Sequence, residues 1–332
     1  MSAVPTDALE AGLEEHRAAL TGYCYRMLGS LFEAEDAVQE TMFRAWRGLD
    51  RYEGRSQLRT WLFSIATNVC LDQLRGTGRR VLPMHLGRSW PATAEPTFAG
   101  PDHLWLQPVP DERVLPDGDP ARVAAARDTI RLAFVAALQH LPPRQRAVLI
   151  LRDVLGWHAA EVAELLDTTV VSVKSTLQRA RATMAERDPT AGPRPDPLEG
   201  PDRELVDRYV DAFERFDIEA LVALLHEDAT LSMPPHPLWV QGRDQVHRWW
   251  CEHRSTCSPA VLVPVAANGS PAVAQFRARA DGEPEPFAVQ VLDVDGGRIR
   301  GLTAFVEPRL VSRFSPSPST PPSGRRPRLR TA

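Results

Sequence analysis

The sequence predicts a multidomain chain in which two all-α segments precede an α+β domain. A 3.6-residue apolar period runs through 13–76 and again through 121–188. Short β-like runs separated by turn dipeptides follow residue 202, and Pro/Gly-rich joints at 81–120 and 189–201 divide the three parts. A length of 332 residues with 43 % hydrophobic content supplies enough apolar material for several buried cores. No run approaches the roughly 20 apolar residues of a membrane span. The acidic start lacks the apolar h-region of a signal peptide. The cysteines, Cys24, Cys70, Cys251 and Cys257, form no CxxC pair and no disulfide framework. The chain therefore reads as cytoplasmic and soluble, with no membrane partner.

In the first segment, 10–80, Leu20, Tyr23 and Met27 share one helix face, and Ala37, Thr41 and Ala45 share another. Trp61, Ile65, Val69 and Leu71 mark a third helix, which Gly76 and Gly78 end. The stretch 81–120 has lone aromatics (Trp90, Phe98, Trp105) and no sustained period; it is expected to be a linker that drapes on something. In 121–188, Ile130, Phe134 and Leu138 stack, and Pro142-Pro143 closes their helix. A helix follows over 147–155, then a short one over 159–166, a turn at Asp167-Thr168-Thr169, and a last helix over 170–187 with Thr169 as N-cap. A second joint, 189–201, leads to 202–310. There a helix carrying Val206, Tyr209, Val210 and Phe213 precedes strands at 230–233, 261–266, 272–279, 287–294 and 298–306. Asn268-Gly269 and Gly296-Gly297 occupy hairpin positions, and a helix over 243–253 interrupts the strands. Helices laid on a curved antiparallel sheet are expected, followed by a disordered basic tail over 311–332.

Net charge is −4, which by itself argues against a nucleic-acid binder, but the charge is segregated. Between Arg44 and Arg80 stand eight arginines against three acids, whereas Glu10 to Glu40 carries seven acids against two arginines. Such separation suggests partners of opposite preference. The 159–187 stretch has the pattern of a helix–turn–helix. Val173, Leu177, Ala180 and Met184 form its buried stripe, and Ser172, Lys174, Ser175, Gln178, Arg179 and Arg181 offer donors for phosphates and base edges. Asp167 stands where glycine is common, and Asp tolerates the left-handed conformation. Tyr52, Arg55, Arg59, Trp61, Asn68, Arg75, Arg79 and Arg80 interleave aromatics with arginines, the combination that holds single-stranded DNA. The plain alternative for both patterns is a helical bundle with a solvated charged face; for Trp61 taken singly, the core is favoured.

Two runs carry a family resemblance. Glu35 to Trp46 (EDAVQETMFRAW) and Leu58 to Asn68 (LRTWLFSIATN) resemble region 2 of the bacterial sigma-70 family. Val173-Lys174-Ser175, Leu177 and Arg179-Ala180-Arg181 resemble the end of its region 4. With only these two regions and a linker between them, 13–188 resembles an extracytoplasmic-function sigma factor. The resemblance implies a region 2 helical bundle and a region 4 helix–turn–helix. It implies docking on core RNA polymerase through Asp36, Gln39, Glu40, Met42 and Phe43, where Met42 replaces the more frequent phenylalanine. It also implies reading of the promoter −10 element by the Tyr52–Arg80 set and of the −35 element by Thr169, Ser172, Lys174, Ser175, Gln178, Arg179 and Arg181. Residues 202–309 resemble a cone-shaped α+β fold of the SnoaL/NTF2-like type, with Met233 to Pro237 and Trp239 at its mouth. Trp105-Leu106-Gln107-Pro108 resembles the linker of sigma factors that carry such an extension.

The expected function is promoter selection without catalysis, tuned by the C-terminal domain through intramolecular contact with the sigma regions. No cofactor is implied, and a small-molecule ligand in the cone is a further candidate partner. Two alternatives stand beside it: a stand-alone helix–turn–helix regulator, and a bifunctional protein whose cone converts a metabolite with His226, Asp228, His236 or His247 as acid–base. His247, Cys251, His253 and Cys257 are all ligand types, but His253 faces away from Cys251 on a continuing helix and Trp249 and Trp250 crowd the site, so no metal is assigned.

Overall fold

The computed structural model describes residues 14–49, 52, 57–76, 78–95, 99–116, 118–187, 197, 199–257, 260–278 and 283–314. Phe98, Arg55 and the basic tail from 315 lie outside them. The described residues fall into two compact units, one drawn from 1–81 and 111–194, the other from 82–110 and 195–332.

The first unit is helical. Helix α1 (Arg17–Leu28) ends at Gly29, which is left-handed (φ 69°) and donates its N–H to Tyr25. Ser30 then caps α2 (Leu31–Gly48) by accepting from the Glu33 N–H at 3.2 Å, so the chain reverses in two residues. Helix α3 (Leu58–Gln73) completes the bundle. Its buried row is Leu62, Phe63, Ala66, Thr67, Val69 and Cys70, shifted by one position from the expected one. Trp61 and Ile65 are thereby half-buried at the rim. The shift follows from Phe63, whose ring packs on Tyr23 at 5.3 Å and on Trp157 at 5.2 Å, a tertiary contact with no periodic signature.

Six more helices follow: α4 (Asp111–Val114), α5 (Pro120–Asp128), α6 (Leu132–Leu138), α7 (Pro143–Leu149, continued by a wide turn Ile150–Val154), α8 (Ala159–Leu165) and α9 (Val170–Arg187). Pro143 at the first position of α7 suits a site whose N–H would be unsatisfied anyway. Phe134, expected in the core, is only half-buried, because the helix breaks between Asp128 and Leu132 and turns Val135 inward instead.

Two buried arginines join α1 to the helices after residue 128. Arg146 donates to the carbonyls of Met27, Gln139 and Leu141 and, at 2.7 Å, to Gln139 Oε1. Arg26 donates to Gly22 O, Thr129 O and Thr129 Oγ1. Gln139 Nε2 returns a bond to Arg26 O. The carbonyls of α1's last turn are orphans of helix geometry, and these cations supply the missing donors at the negative end of the helix dipole. Burial pulls both guanidinium pKa values down to about 10. Gly22 leaves room for this arrangement: a Cβ there would stand 2.9 Å from Arg26 Nη1 and 3.2 Å from Val114 O.

The second unit is α+β. Helices α10 (Gly200–Glu214) and α11 (Ile218–Ala223) precede β1 (Leu225–Ser232) and β2 (Trp239–Gln241). Then come α12 (Arg243–Glu252), α13 (Arg254–Cys257), β3 (Ala260–Ala267), β4 (Ser270–Ala278), β5 (Pro284–Asp295), β6 (Arg298–Phe305) and α14 (Pro308–Phe314). The strand order is β2-β1-β6-β5-β4-β3. The sheet is mixed, not antiparallel throughout, since β1 pairs parallel with β6. No hairpin joins those two; the intervening strands and helices carry the chain around, and a parallel pair needs such a long crossover. Asn268-Gly269 and Gly296-Gly297 do form tight turns, all four residues having positive φ (55°, 64°, 56° and 72°). Helix α14 extends the ordered fold past 310, because Leu310, Val311 and Phe314 are buried.

Residues 82–110 are a strap on this unit. Trp90 N–H donates to Trp239 O, and Gly100 N–H donates to Pro235 O. Val109 and Asn268 exchange bonds, with Val109 N–H reaching Asn268 Oδ1 at 2.9 Å and Asn268 N–H reaching Val109 O at 3.1 Å. Gln107 Nε2 donates to Glu307, and Trp105 is 3 % exposed. Trp90 and Trp105 are therefore packing anchors.

Two outcomes follow. Arg146→Met removes the donors of three buried carbonyls and should destabilise the helical unit by about 2–4 kcal/mol; hydrogen exchange of the α1 and α7 amides measures it, and Arg146→Lys should not rescue, since one ammonium cannot reach all four acceptors. Asn268→Ala loses the Val109 bond and strains a left-handed residue, so limited proteolysis at the exposed Arg88 should quicken; Asn268→Gly, which loses only the bond, should fall between.

Candidate functional site

Helix α2 is two-faced. Leu31, Ala34, Ala37, Val38, Thr41 and Ala45 are buried, while Asp36, Gln39 and Phe43 are exposed on the opposite side. Glu40 is half-buried and paired with Arg44 at 2.6 Å, and Met42 is half-buried at the edge. Phe43 is 52 % exposed, with the Arg47 guanidinium 5.6 Å from its ring centroid. Trp46, three residues on, is 57 % exposed and extends the same row. Sequence reasoning passed over Trp46, although the i, i+3 spacing from Phe43 on the polar side was readable.

The aromatic–arginine set gathers at the start of α3. Tyr52 stacks on Trp61 with ring centroids 4.9 Å apart and planes 28° from parallel, and both rings are half-buried. Trp61 is thus a rim platform, against the core reading favoured for it alone. Arg59 lies beside them, its guanidinium 4.8 Å from the Trp157 ring and 5.8 Å from Phe63. Desolvation lowers the Arg59 pKa, partly offset by Glu161. Nothing in the sequence pattern ties Trp157 to Arg59, so this partner was missed. Asn68 is exposed on α3, and Arg75, exposed just past its end, lies 3.4 Å from Asp72. Arg79 is exposed and bonded to His140 Nδ1 at 2.9 Å. Arg80 is a correction: it is 7 % exposed and ion-paired with Glu33, so it serves the bundle and is withdrawn from any ligand.

Helices α8 and α9 form the helix–turn–helix. Asp167 takes φ 48° in the turn, as its short polar side chain allows. Thr169 Oγ1 accepts from the Ser172 N–H at 3.1 Å and caps α9. Val173, Leu177, Ala180 and Met184 are buried, and Thr169, Ser172, Lys174, Ser175, Gln178 and Arg179 are exposed together on the other side. Arg181 is exposed too, but its fork is engaged by Asp153 at 2.8 and 2.7 Å, fixing the middle of α9 to the end of α7. The hydrogen bond raises its pKa.

In the second unit, an interior cavity of about 30 Å³ is lined by Tyr209, Trp249, Trp250, Cys257, Gln275 and Gln290 among others. A polar chain crosses it. Tyr209 O–H donates to Gln290 Oε1 at 2.5 Å, Gln290 Nε2 to Gln275 Oε1 at 2.7 Å, and Gln275 Nε2 to Cys257 O at 3.5 Å. Burial raises the Tyr209 hydroxyl well above its ordinary value and the Cys257 thiol to about 11. His226, Asp228, His236 and His247 do not line this cavity. The four ligand-type residues do not converge. His247 Nε2 meets Cys251 Sγ at 3.6 Å, but His253 is buried and stacked on Trp249 at 4.5 Å, and Cys257 faces the interior. A larger groove of about 250 Å³ runs between the strap and the strand ends, with Asp102, Gln107, Pro235, Glu307 and Arg309 in its wall. Among the described residues, no helix is long and apolar enough to cross a membrane.

Comparison with known proteins fits these surfaces. Residues 13–80 match the family Sigma-70 region 2, 131–184 match Sigma-70, region 4, and 206–302 match the SnoaL-like domain. ECF RNA polymerase sigma factor SigG of Mycobacterium tuberculosis is 43 % identical over 307 residues, covering 92 % of this chain and 82 % of that protein. SigJ of the same organism is 30 % identical over 242 residues, 71 % of this chain and 70 % of that one. The crystal structure of Mycobacterium tuberculosis SigJ shares the fold, with a TM-score of 0.58 at 22 % identity over 93 % of this chain and 99 % of that chain. With regions 2 and 4 in one helical unit and a SnoaL-like domain after them, the chain belongs to the extracytoplasmic-function RNA polymerase sigma factors.

Proposed function

We propose that the exposed row of α2 docks on core RNA polymerase, that Tyr52, Arg59, Trp61, Asn68, Arg75 and Arg79 hold the melted −10 strand, and that α9 reads the −35 element. The observation that carries this is the pair Phe43 and Trp46, two large apolar rings left in solvent on a helix whose opposite face is fully packed. Aromatic anchors rimmed by Asp36, Gln39 and Glu40 suit a partner surface with apolar pockets and basic neighbours. The stacked Tyr52–Trp61 pair supplies the aromatic surface that unpaired bases need, with arginines for the backbone.

Reading both elements requires the helical unit to open. The elements are named for positions about 25 base pairs apart, roughly 85 Å of duplex. A compact body of about 160 residues is only roughly 40 Å across. Arg59, packed on Trp157, reaches DNA once α3 parts from the helices after residue 128.

The SnoaL-like domain acts on this reading as a modulator without chemistry of its own. Tyr209 and Cys257, the groups in its cavity that lose a proton on ionising, are both pushed upward by burial, so neither serves as a base near neutral pH.

Co-elution of the full chain with core polymerase tests the docking. Phe43→Ala and Trp46→Ala should each weaken core binding about tenfold or more with the fold intact; unchanged binding in both would remove the assignment. Tyr52→Ala and Trp61→Ala should leave closed-complex binding nearly unchanged. Each should reduce open complex, followed by 2-aminopurine fluorescence in the −10 element, by roughly 5- to 100-fold.

A further inference from the structure

Helix α9 ends its outward row in an unexpected way. Residues opposite the buried Val173–Leu177–Ala180–Met184 stripe fall at Val171, Ser175, Gln178 and Ala182 by the 3.6-residue period. The head of that row is valine, 76 % exposed, and its neighbour Val170 is 37 % exposed. Both belong to the first turn, directly after the Thr169 cap. A single exposed valine on a protein surface needs no explanation. Two adjacent β-branched residues are different here, because they occupy the turn that enters a major groove and hydrogen-bonding side chains surround them. Val171, so exposed, gains little burial that would reward the low helix propensity of valine.

We infer that Val171, supported by Val170, is a base-reading element that packs on the 5-methyl group of a thymine in the −35 element. This rests on the reading of α9 given above. In the major groove thymine alone presents an apolar methyl, so an exposed β-branched side chain is the matching surface. Ser175 and Gln178, one and two turns along the same row, have the donors and acceptors for the neighbouring base edges, and Gln pairs well with adenine. Lys174 and Arg179 flank the row and take phosphates. The apolar pair thereby adds preference for a particular base pair at one end of a footprint whose other contacts are polar. Its direction follows from the fold: the Thr169 cap and the Arg181–Asp153 fork fix α9 near its start and in its middle, so the first turn presents the same face in every complex.

The test uses holoenzyme made from the full chain and core polymerase, with promoter duplexes recovered by selection from random upstream sequence. Each thymidine of the recovered element is replaced in turn by deoxyuridine, which deletes the methyl and nothing else. At one position the wild-type holoenzyme should bind about fourfold more weakly, the worth of one buried methyl. Val171→Ala should bind the thymidine duplex more weakly and lose that methyl sensitivity, while Val171→Ile keeps it. Because Val171 is exposed, these variants fold. Four outcomes overturn the inference: no thymine in the recovered element, no methyl sensitivity at any position, equal sensitivity in Val171→Ala, or a Val171→Ala loss that is the same on every duplex and appears in core binding, which would make the valine a polymerase contact. Failure of the holoenzyme to select any upstream sequence would instead remove the reading of α9 itself.

Discussion

The buried guanidinium of Arg146 is the constraint on which the helical unit depends. It ties the last carbonyls of α1 to the start of α7, and Gln139 carries the connection back to Arg26. Neither arginine relies on a carboxylate here; backbone carbonyls, an amide and a hydroxyl do the work. Such a junction is directional and satisfied only in one geometry, which makes it specific. It is also costly to desolvate, which keeps the net stabilisation modest. Beside it, the rings of Tyr23, Phe63 and Trp157 form an apolar seam, and Arg59 closes the seam at its outer edge. A joint of this kind, held by few specific bonds and a narrow ring contact, suits the proposed spreading of the two reading segments along DNA.

The second unit is built on a different balance. Trp249 and Trp250, both on α12, fill the space between helices and sheet, a chain of hydrogen bonds runs from Tyr209 to Cys257, and Ser232 pairs separately with Thr303. The strap 82–110 adds Trp105 and the Val109–Asn268 exchange to the outside of that core. The sigma linker is therefore structural material for the SnoaL-like domain. Through it the chain supplies both units in alternation, 1–81 and 111–194 to one, 82–110 and 195–332 to the other.

Local rules made much of this legible. The helix–turn–helix with its Asp167 turn, Thr169 cap and buried stripe followed from period and capping chemistry alone, and the two glycine-containing hairpins from turn preference. The exposed row of α2, proposed above to dock on the polymerase, was legible as far as Phe43. What escaped depends on partners distant in sequence. Arg80 looks like any other arginine of a basic run until Glu33 is placed against it. Trp61 cannot be assigned to rim or core before Phe63 takes the inner position. The strap carries no period because Trp90 and Trp105 pack against residues more than a hundred positions away, and β1 beside β6 is a parallel pairing that no turn announces.

The proposed opening of the helical unit on the polymerase is tested most directly by a distance measurement. In a Cys251→Ser background, fluorophores on Glu15→Cys and Glu186→Cys, both exposed positions, report the separation of the first helices from the end of α9. Energy transfer should be high in the free chain and should fall to near zero once the holoenzyme sits on promoter DNA, where the two elements lie roughly 85 Å apart. Transfer that stays the same in the free chain and in the promoter complex would contradict the account.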